Sequence, residues 1–150
     1  MRPRTGSRQP QVDDQCLFEM ADFLGKKYKL VKSDKFDEYL SELNVSFVLR
    51  QVAKTLSPSV EVTCDGDQWT LKTSSTFKTS EIRFKLGEPF EEERMDGAKV
   101  QSTVTIDGNK MTHVMKGDPE STIVREFNGA DMKAIMTVNN VVCTREYKAE

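Results

Sequence analysis

From Ser59 to the C-terminus, turn signals recur every 10 or 11 residues: Asp65-Gly66, the neighbourhood of Thr76, Gly87, Asp96-Gly97, Asp107-Gly108, Gly117-Asp118, Asn128-Gly129 and Asn139-Asn140. Asx-Gly pairs supply the positive φ that tight hairpin turns need. Each interval is long enough for one strand and too short for a strand and a helix, so the spacing predicts an up-and-down antiparallel sheet. Nine strands after Ser59 and one at Tyr28–Val31 make ten. A sheet that long manages its edges by closing into a barrel. About eight strands already leave room for one small ligand, so ten predict an internal cavity.

Side chains on a strand alternate between two faces. One face collects Val60, Val62, Cys64, Trp69, Leu71, Ile82, Phe84, Leu86, Val100, Val104, Ile106, Met111, Met115, Ile123, Phe127, Met132, Ala134, Met136 and Val138. The other is mostly Lys, Glu, Thr and Gln. The apolar face also carries Thr73, Ser75, Ser102, His113, Arg125, Arg145 and Tyr147. Packed cores rarely hold two arginines, whereas apolar walls with a few orienting polar groups describe a ligand pocket.

The last strand sharpens this. Val141, Cys143, Arg145 and Tyr147 share one face, with nothing acidic beside them on that strand. Arginine stays charged in proteins, and a buried charge needs an anionic partner. The residues leave open whether that partner is an internal acid or a bound anion.

Between the first strand and Ser59 lie the helical signals. Asp34 is placed to cap a helix carrying Phe36, Tyr39, Leu40 and Leu43 in an i, i+3, i+4, i+7 stripe. Asn44 suits its end. Ser46 is placed to cap a second helix with Leu49, Val52, Ala53 and Leu56 on one side, stopped by Pro58. Two short helices joined by a turn read as a lid over the barrel mouth. As a DNA-binding device the pair is poor, since the second helix offers only Arg50 and Lys54.

Composition excludes several classes. The chain has 150 residues, 22 basic and 24 acidic, for a net charge of −2. No basic excess points to nucleic acid, and no apolar run approaches the ~20 residues of a membrane helix. Residues 1–19 are rich in Arg, Pro, Gln, Ser and Asp and read as a disordered extension without a secretory h-region. Residues 20–150 are the expected domain, with Met20 looking like an independent start. Three cysteines, Cys16, Cys64 and Cys143, have no metal-ligand spacing and read as reduced thiols.

Several motifs in the same order resemble the intracellular lipid-binding proteins, within them the fatty-acid-binding proteins of heart, adipocyte and myelin type. They are Gly25-Lys26-Lys27-Tyr28-Lys29-Leu30-Val31, Phe36-Asp37-Glu38-Tyr39-Leu40, Arg50-Gln51-Val52-Ala53, Leu71-Lys72-Thr73, Ser75-Thr76-Phe77-Lys78 and Phe84-Lys85-Leu86-Gly87. Val124-Arg125-Glu126 and Cys143-Thr144-Arg145-Glu146-Tyr147 complete the set. The likeness runs from about Phe23 to Lys148. It departs at Tyr28, where Trp is usual after one fewer lysine, at Lys35, at Met115, where glutamine is common, and at the shorter Gly117-Asp118-Pro119 turn.

The resemblance implies a ten-stranded β-clam capped by two short helices, holding one long-chain fatty acid. It places the carboxylate on Arg145 and Tyr147, with Arg125 assisting. Phe36, Phe77 and Asp96 match positions beside the acyl tail and its portal. Tyr39, Leu40, Met95, Thr73, Ser75, Met115 and Met136 complete the expected tail and portal contacts. The expectation is a monomeric cytoplasmic carrier, with nuclear entry open, that is not an enzyme and needs no cofactor or metal. Lys32, Lys35, Arg50 and Lys54 on the lid are candidates for brief contact with anionic membranes. A retinoid carrier of the same fold and a protein-interaction scaffold are the alternatives. Catalysis would rest on His113 alone, with no nucleophile set beside it.

Overall fold

A computed structural model describes residues 23–150; the expected extension at 1–19, with Cys16, lies outside the described residues. The chain runs β1 (Lys27–Asp34), α1 (Phe36–Glu42), α2 (Phe47–Lys54), β2 (Ser59–Asp65), β3 (Gln68–Ser74), β4 (Thr79–Phe84), β5 (Phe90–Glu93), β6 (Lys99–Asp107), β7 (Lys110–Lys116), β8 (Ser121–Asn128), β9 (Asp131–Val138) and β10 (Val141–Ala149). All ten strands join one antiparallel sheet in the order β4-β3-β2-β1-β10-β9-β8-β7-β6-β5. This is the β-clam with a two-helix lid that the resemblance implied. The turn signals sit where the spacing put them: Gly108 has φ 63° and Asn139 φ 51°, the left-handed conformation those hairpins require.

Two details differ from expectation. The sheet is not fully closed. Strands β4 and β5 follow each other in sequence yet are the two edges of the sheet. Pro89 heads β5 with no N–H to donate, and Gly87 N–H turns away to the Val104 carbonyl at 2.9 Å. The stacked rings of Phe84 and Phe90, 5.5 Å apart, span the seam instead. Asp34 is also not the cap of α1. It belongs to β1, and Lys35 takes the N-cap position at φ 64° with no side-chain bond.

Alternation is clearest in β7, β8 and β9 and fades in β1 and β4, which are exposed over much of their length. Strand β8 alternates buried and half-buried positions along nearly its whole length, burying Ile123, Arg125 and Phe127. At the end away from the helices, Phe127 stacks on Phe23 at 3.6 Å and meets Tyr28 edge-on at 5.5 Å. This aromatic plug closes the base. At the other end, α1 packs through fully buried Tyr39, Leu40 and Leu43. The Tyr39 and Ser121 hydroxyls share a 2.5 Å hydrogen bond that ties the lid to β8, and burial pushes the Tyr39 phenol above its ordinary pKa. Ser46 caps α2 as expected, accepting from Leu49 N–H. Arg50 does not project as a free cation: it donates to Asp37 at 3.1 Å and to the Val45 carbonyl at 2.8 Å, bracing the two helices. Among the described residues, no helix is long and apolar enough to cross a membrane.

Candidate functional site

The sheet and lid enclose a cavity of about 580 Å³. Its chemistry starts from register. Ala134 on β9 pairs with Arg125 on β8 at one side and with Arg145 on β10 at the other. Both arginines therefore point inward from one row, two strand spacings (about 10 Å) apart. The small methyl of Ala134 leaves the space between them open. Tyr147 follows on the same face of β10. Between Arg145 and Tyr147 the pairing with β1 slips, so that Ser33 and Lys32 pair below the slip and Leu30 and Lys29 beyond it. A bulge of this kind re-aims neighbouring side chains.

Arg125 and Arg145 are buried to 9% and 4% exposure. Neither makes an ion pair with a described residue. Among the described residues, Arg125 Nη1 and Arg145 Nε have no hydrogen-bond partner. Burial pulls Arg125 below the ordinary guanidinium value, against the opposing influence of Tyr147, Glu92 and Tyr39; it remains a cation. The Phe36 ring from α1 lies 3.6 Å from Arg145 Cζ, a cation–π contact linking lid to floor.

A second polar group faces the same cavity. Glu92, on the inward face of β5, accepts a hydrogen bond from His113 Nε2 on β7 at 2.5 Å. Burial would raise the Glu92 carboxyl, but the His113 hydrogen bond and charge, the nearby Ser102 hydroxyl and Arg125 outweigh it and hold it below its ordinary value. Phe90 stacks on the His113 ring at 6.2 Å.

A third buried arginine, Arg94, is fully occupied. Its Nε and Nη2 donate to the two Asp96 carboxylate oxygens at 2.8 and 3.0 Å, and Nη1 donates to the Pro119 carbonyl at 2.5 Å. Gly117 makes room for Val100 beside this cluster: a Cβ there would meet Val100 Cγ1 at 2.5 Å.

Of the residues singled out in the sequence, Arg125, Arg145, Tyr147, Thr73, Phe36, Met95, Met115 and Met136 line the cavity. Tyr39 and Leu40 do not; they are fully packed anchors of α1. Ser75 spends its hydroxyl inside the β3–β4 turn, accepting from Phe77 and Lys78 N–H. Phe77 is 59% exposed on that turn, away from the wall. Asp96 is engaged by Arg94 rather than by the cavity. Sequence reasoning missed Glu92 and Arg94 because β5 spans only four residues, too few for alternation to register. It noted Ala134 as inward without seeing that it separates the arginines.

Cys143 is a free, fully buried thiol that burial pushes up to about 11, too high for thiolate chemistry. Cys64 is disulfide-bonded, not the reduced thiol expected. Among the described residues, no group of His, Cys, Asp or Glu could hold a metal ion. The arrangement offers two fixed cations, a phenol, the Glu92–His113 pair and apolar side chains: chemistry for gripping an amphipathic anion.

Residues 24–150 match the model of the lipocalin/cytosolic fatty-acid binding protein family. A fatty acid-binding protein of Tyrophagus putrescentiae is 56% identical over 128 residues, spanning 85% of this chain and 98% of that protein. The crystal structure of the fatty acid-binding protein in brain tissue of Drosophila melanogaster superposes with a TM-score of 0.84, at 56% identity, over 85% of this chain and 99% of its own. A Schistosoma mansoni fatty acid binding protein in complex with arachidonic acid gives a TM-score of 0.83 at 41% identity, over 88% of this chain and 98% of its own.

Proposed function

This chain belongs to the lipocalin/cytosolic fatty-acid binding protein family, and from that premise we propose that it is a carrier that holds one long-chain fatty acid inside the barrel. The observation that supports the reading best is the pair of inward arginines on the cavity wall whose donors Arg125 Nη1 and Arg145 Nε have no partner among the described residues. A carboxylate is the simplest group that pairs with both. Charge-assisted hydrogen bonds are the stronger class, and Tyr147 adds a phenolic donor two residues from Arg145. Thr73, Met115 and Met136 would lie along the tail, where each buried CH₂ contributes about 0.8 kcal/mol. Phe36 and Met95 would stand near the entrance. The carrier is non-enzymatic, monomeric and cytoplasmic in this reading.

Exposed Phe47, Val48 and Leu49 at the start of α2 support a second part of the proposal, brief contact of the lid with an anionic membrane during loading. Exposed Lys32, Lys35 and Lys54 would supply its charge. Arg50 is withdrawn from that role by Asp37.

The test is calorimetric titration of delipidated protein with oleic acid, alongside native mass spectrometry of the protein as purified. One oleate per chain, displaced only weakly by retinoic acid, is the expected result. A protein that arrives empty and takes up no oleate would overturn the reading.

A further inference from the structure

Register carries the Phe36 ring onto Arg145. Ser33 and Asp34 on β1 pair with Arg145 and Thr144 on β10. Lys35 then turns the chain through φ 64°, a left-handed residue between the end of β1 and the start of α1. Phe36, the first residue of α1, is thereby brought back over the neighbouring strand, and Arg145 Cζ lies over its ring, 3.6 Å from the ring centre. The ring is itself held. It stacks on Tyr39 at 6.5 Å with the planes 11° apart, and the Tyr39 hydroxyl is bonded to Ser121 on β8 at 2.5 Å. A line of contacts therefore runs from β8 through the lid to the guanidinium on β10. That guanidinium has little else to fix it. Among the described residues Arg145 makes no ion pair, and its Nε has no hydrogen-bond partner. A ring against the face of a guanidinium leaves the N–H groups, which lie in its plane, open to an anion.

We propose that Phe36 is a positioning residue for the head group: it holds the Arg145 guanidinium by its face, leaves the N–H edge for a carboxylate, and so makes closure of the lid sensitive to the head group of the ligand. The inference rests on the carrier reading above and deepens it. Fixing a donor in its bound orientation cuts the ordering cost of binding. That gain goes chiefly to a ligand that uses the donor in a charge-assisted bond, which an acid does and an alcohol of the same tail does not. Linkage makes the effect reciprocal. If the docked lid favours the acid, the bound acid favours the docked lid by the same factor.

The experiment measures the affinities of delipidated wild type, Phe36→Leu and Phe36→Tyr for oleic acid and for oleyl alcohol. The readout is the acid-to-alcohol affinity ratio on one protein. Phe36 also lines the cavity, and any contact it makes with the tail is common to both ligands and cancels in that ratio. Phe36→Leu keeps apolar bulk and loses the ring, so the ratio should fall about tenfold. Phe36→Tyr keeps the ring and should stay within about threefold of wild type. A ratio unchanged in Phe36→Leu, or lowered as far in Phe36→Tyr, would overturn the positioning role. Hydrogen exchange on wild type saturated with each ligand tests the reciprocal effect, and carries the test if Phe36→Leu fails to fold. Oleic acid should slow exchange of the α1 amides about tenfold more than oleyl alcohol does. Equal slowing by the two ligands would overturn the coupling of lid to head group. Failure of wild type to bind either ligand would instead overturn the carrier reading.

Discussion

Arg94 and Arg145 are equally buried, each with 4% of its surface exposed, yet the fold treats them oppositely. Arg94 spends its guanidinium on both oxygens of Asp96 and on the Pro119 carbonyl. It ties the β5–β6 turn to the β7–β8 loop. Arg145 sits against an aromatic face, and its Nε has no hydrogen-bond partner among the described residues. Burial alone therefore does not mark a site. In the proposed reading, what separates the structural Arg94 from an arginine free to bind a ligand is whether the protein supplies its counter-charge. A cation the fold leaves unmatched is costly to keep, and a ligand that supplies the anion recovers that cost on binding.

The contrast breaks most visibly at Asp96. Asp96→Ala strands Arg94 and should destabilise the fold by about 3 kcal/mol, lowering the melting temperature by about 10 °C. A melting curve like the wild type would mean that Arg94 does not depend on Asp96. Arg145→Leu should do the reverse. It removes an unmatched cation, so ligand-free stability should hold or rise, while oleate affinity falls about a hundredfold. Melting of the delipidated variant and its titration with oleate read the two effects separately. Ala134→Leu sharpens the comparison without touching a charge. Its larger side chain fills the gap between Arg125 and Arg145, and oleate binding should weaken about tenfold. Little change there would mean that the two guanidiniums do not act together.

The smallest effect is in pH. Burial would raise the Asp96 carboxyl, but the hydrogen bond and charge of Arg94 outweigh it and hold it below its ordinary value. A depressed folded-state pKa contributes stability that is present above the unfolded value, about 3.9, and is lost as pH falls through the folded one. Acid melting curves should therefore steepen below about pH 4 in wild type and less so in Asp96→Asn. Arg145→Leu should leave this acid limb unchanged.

Whether a feature is legible in the sequence depends on its range along the chain. Period-two alternation is local, so the inward placement of Arg125, Arg145 and Tyr147 was legible. So was the ten-strand sheet, because Gly108 and Asn139 mark their turns through backbone conformation alone. The pairings that give the inward groups their roles are long-range. Glu92 sits in the run Glu91-Glu92-Glu93, which reads as a solvated strand, and nothing local says that its middle member bonds His113 two strands away on the same wall. Arg94 went unnoticed for the same reason. The seam between β4 and β5 was hidden because turn spacing reports how many strands form, not whether the last pair is zipped. Tyr39 and Leu40 carried the right stripe for a lid helix, but an apolar stripe cannot say whether it faces a cavity or packs solid.

The most direct measurement compares oleic acid with oleyl alcohol, ligands of like tail and different head, on wild type and on Arg125→Leu/Arg145→Leu. If the unmatched arginines are the anchor, wild type should prefer the acid by about a hundredfold. The double variant should bind both ligands within about threefold of each other. A double variant that still prefers the acid as strongly as wild type would show that the carboxylate is held elsewhere, and would contradict an anchoring role for Arg125 and Arg145.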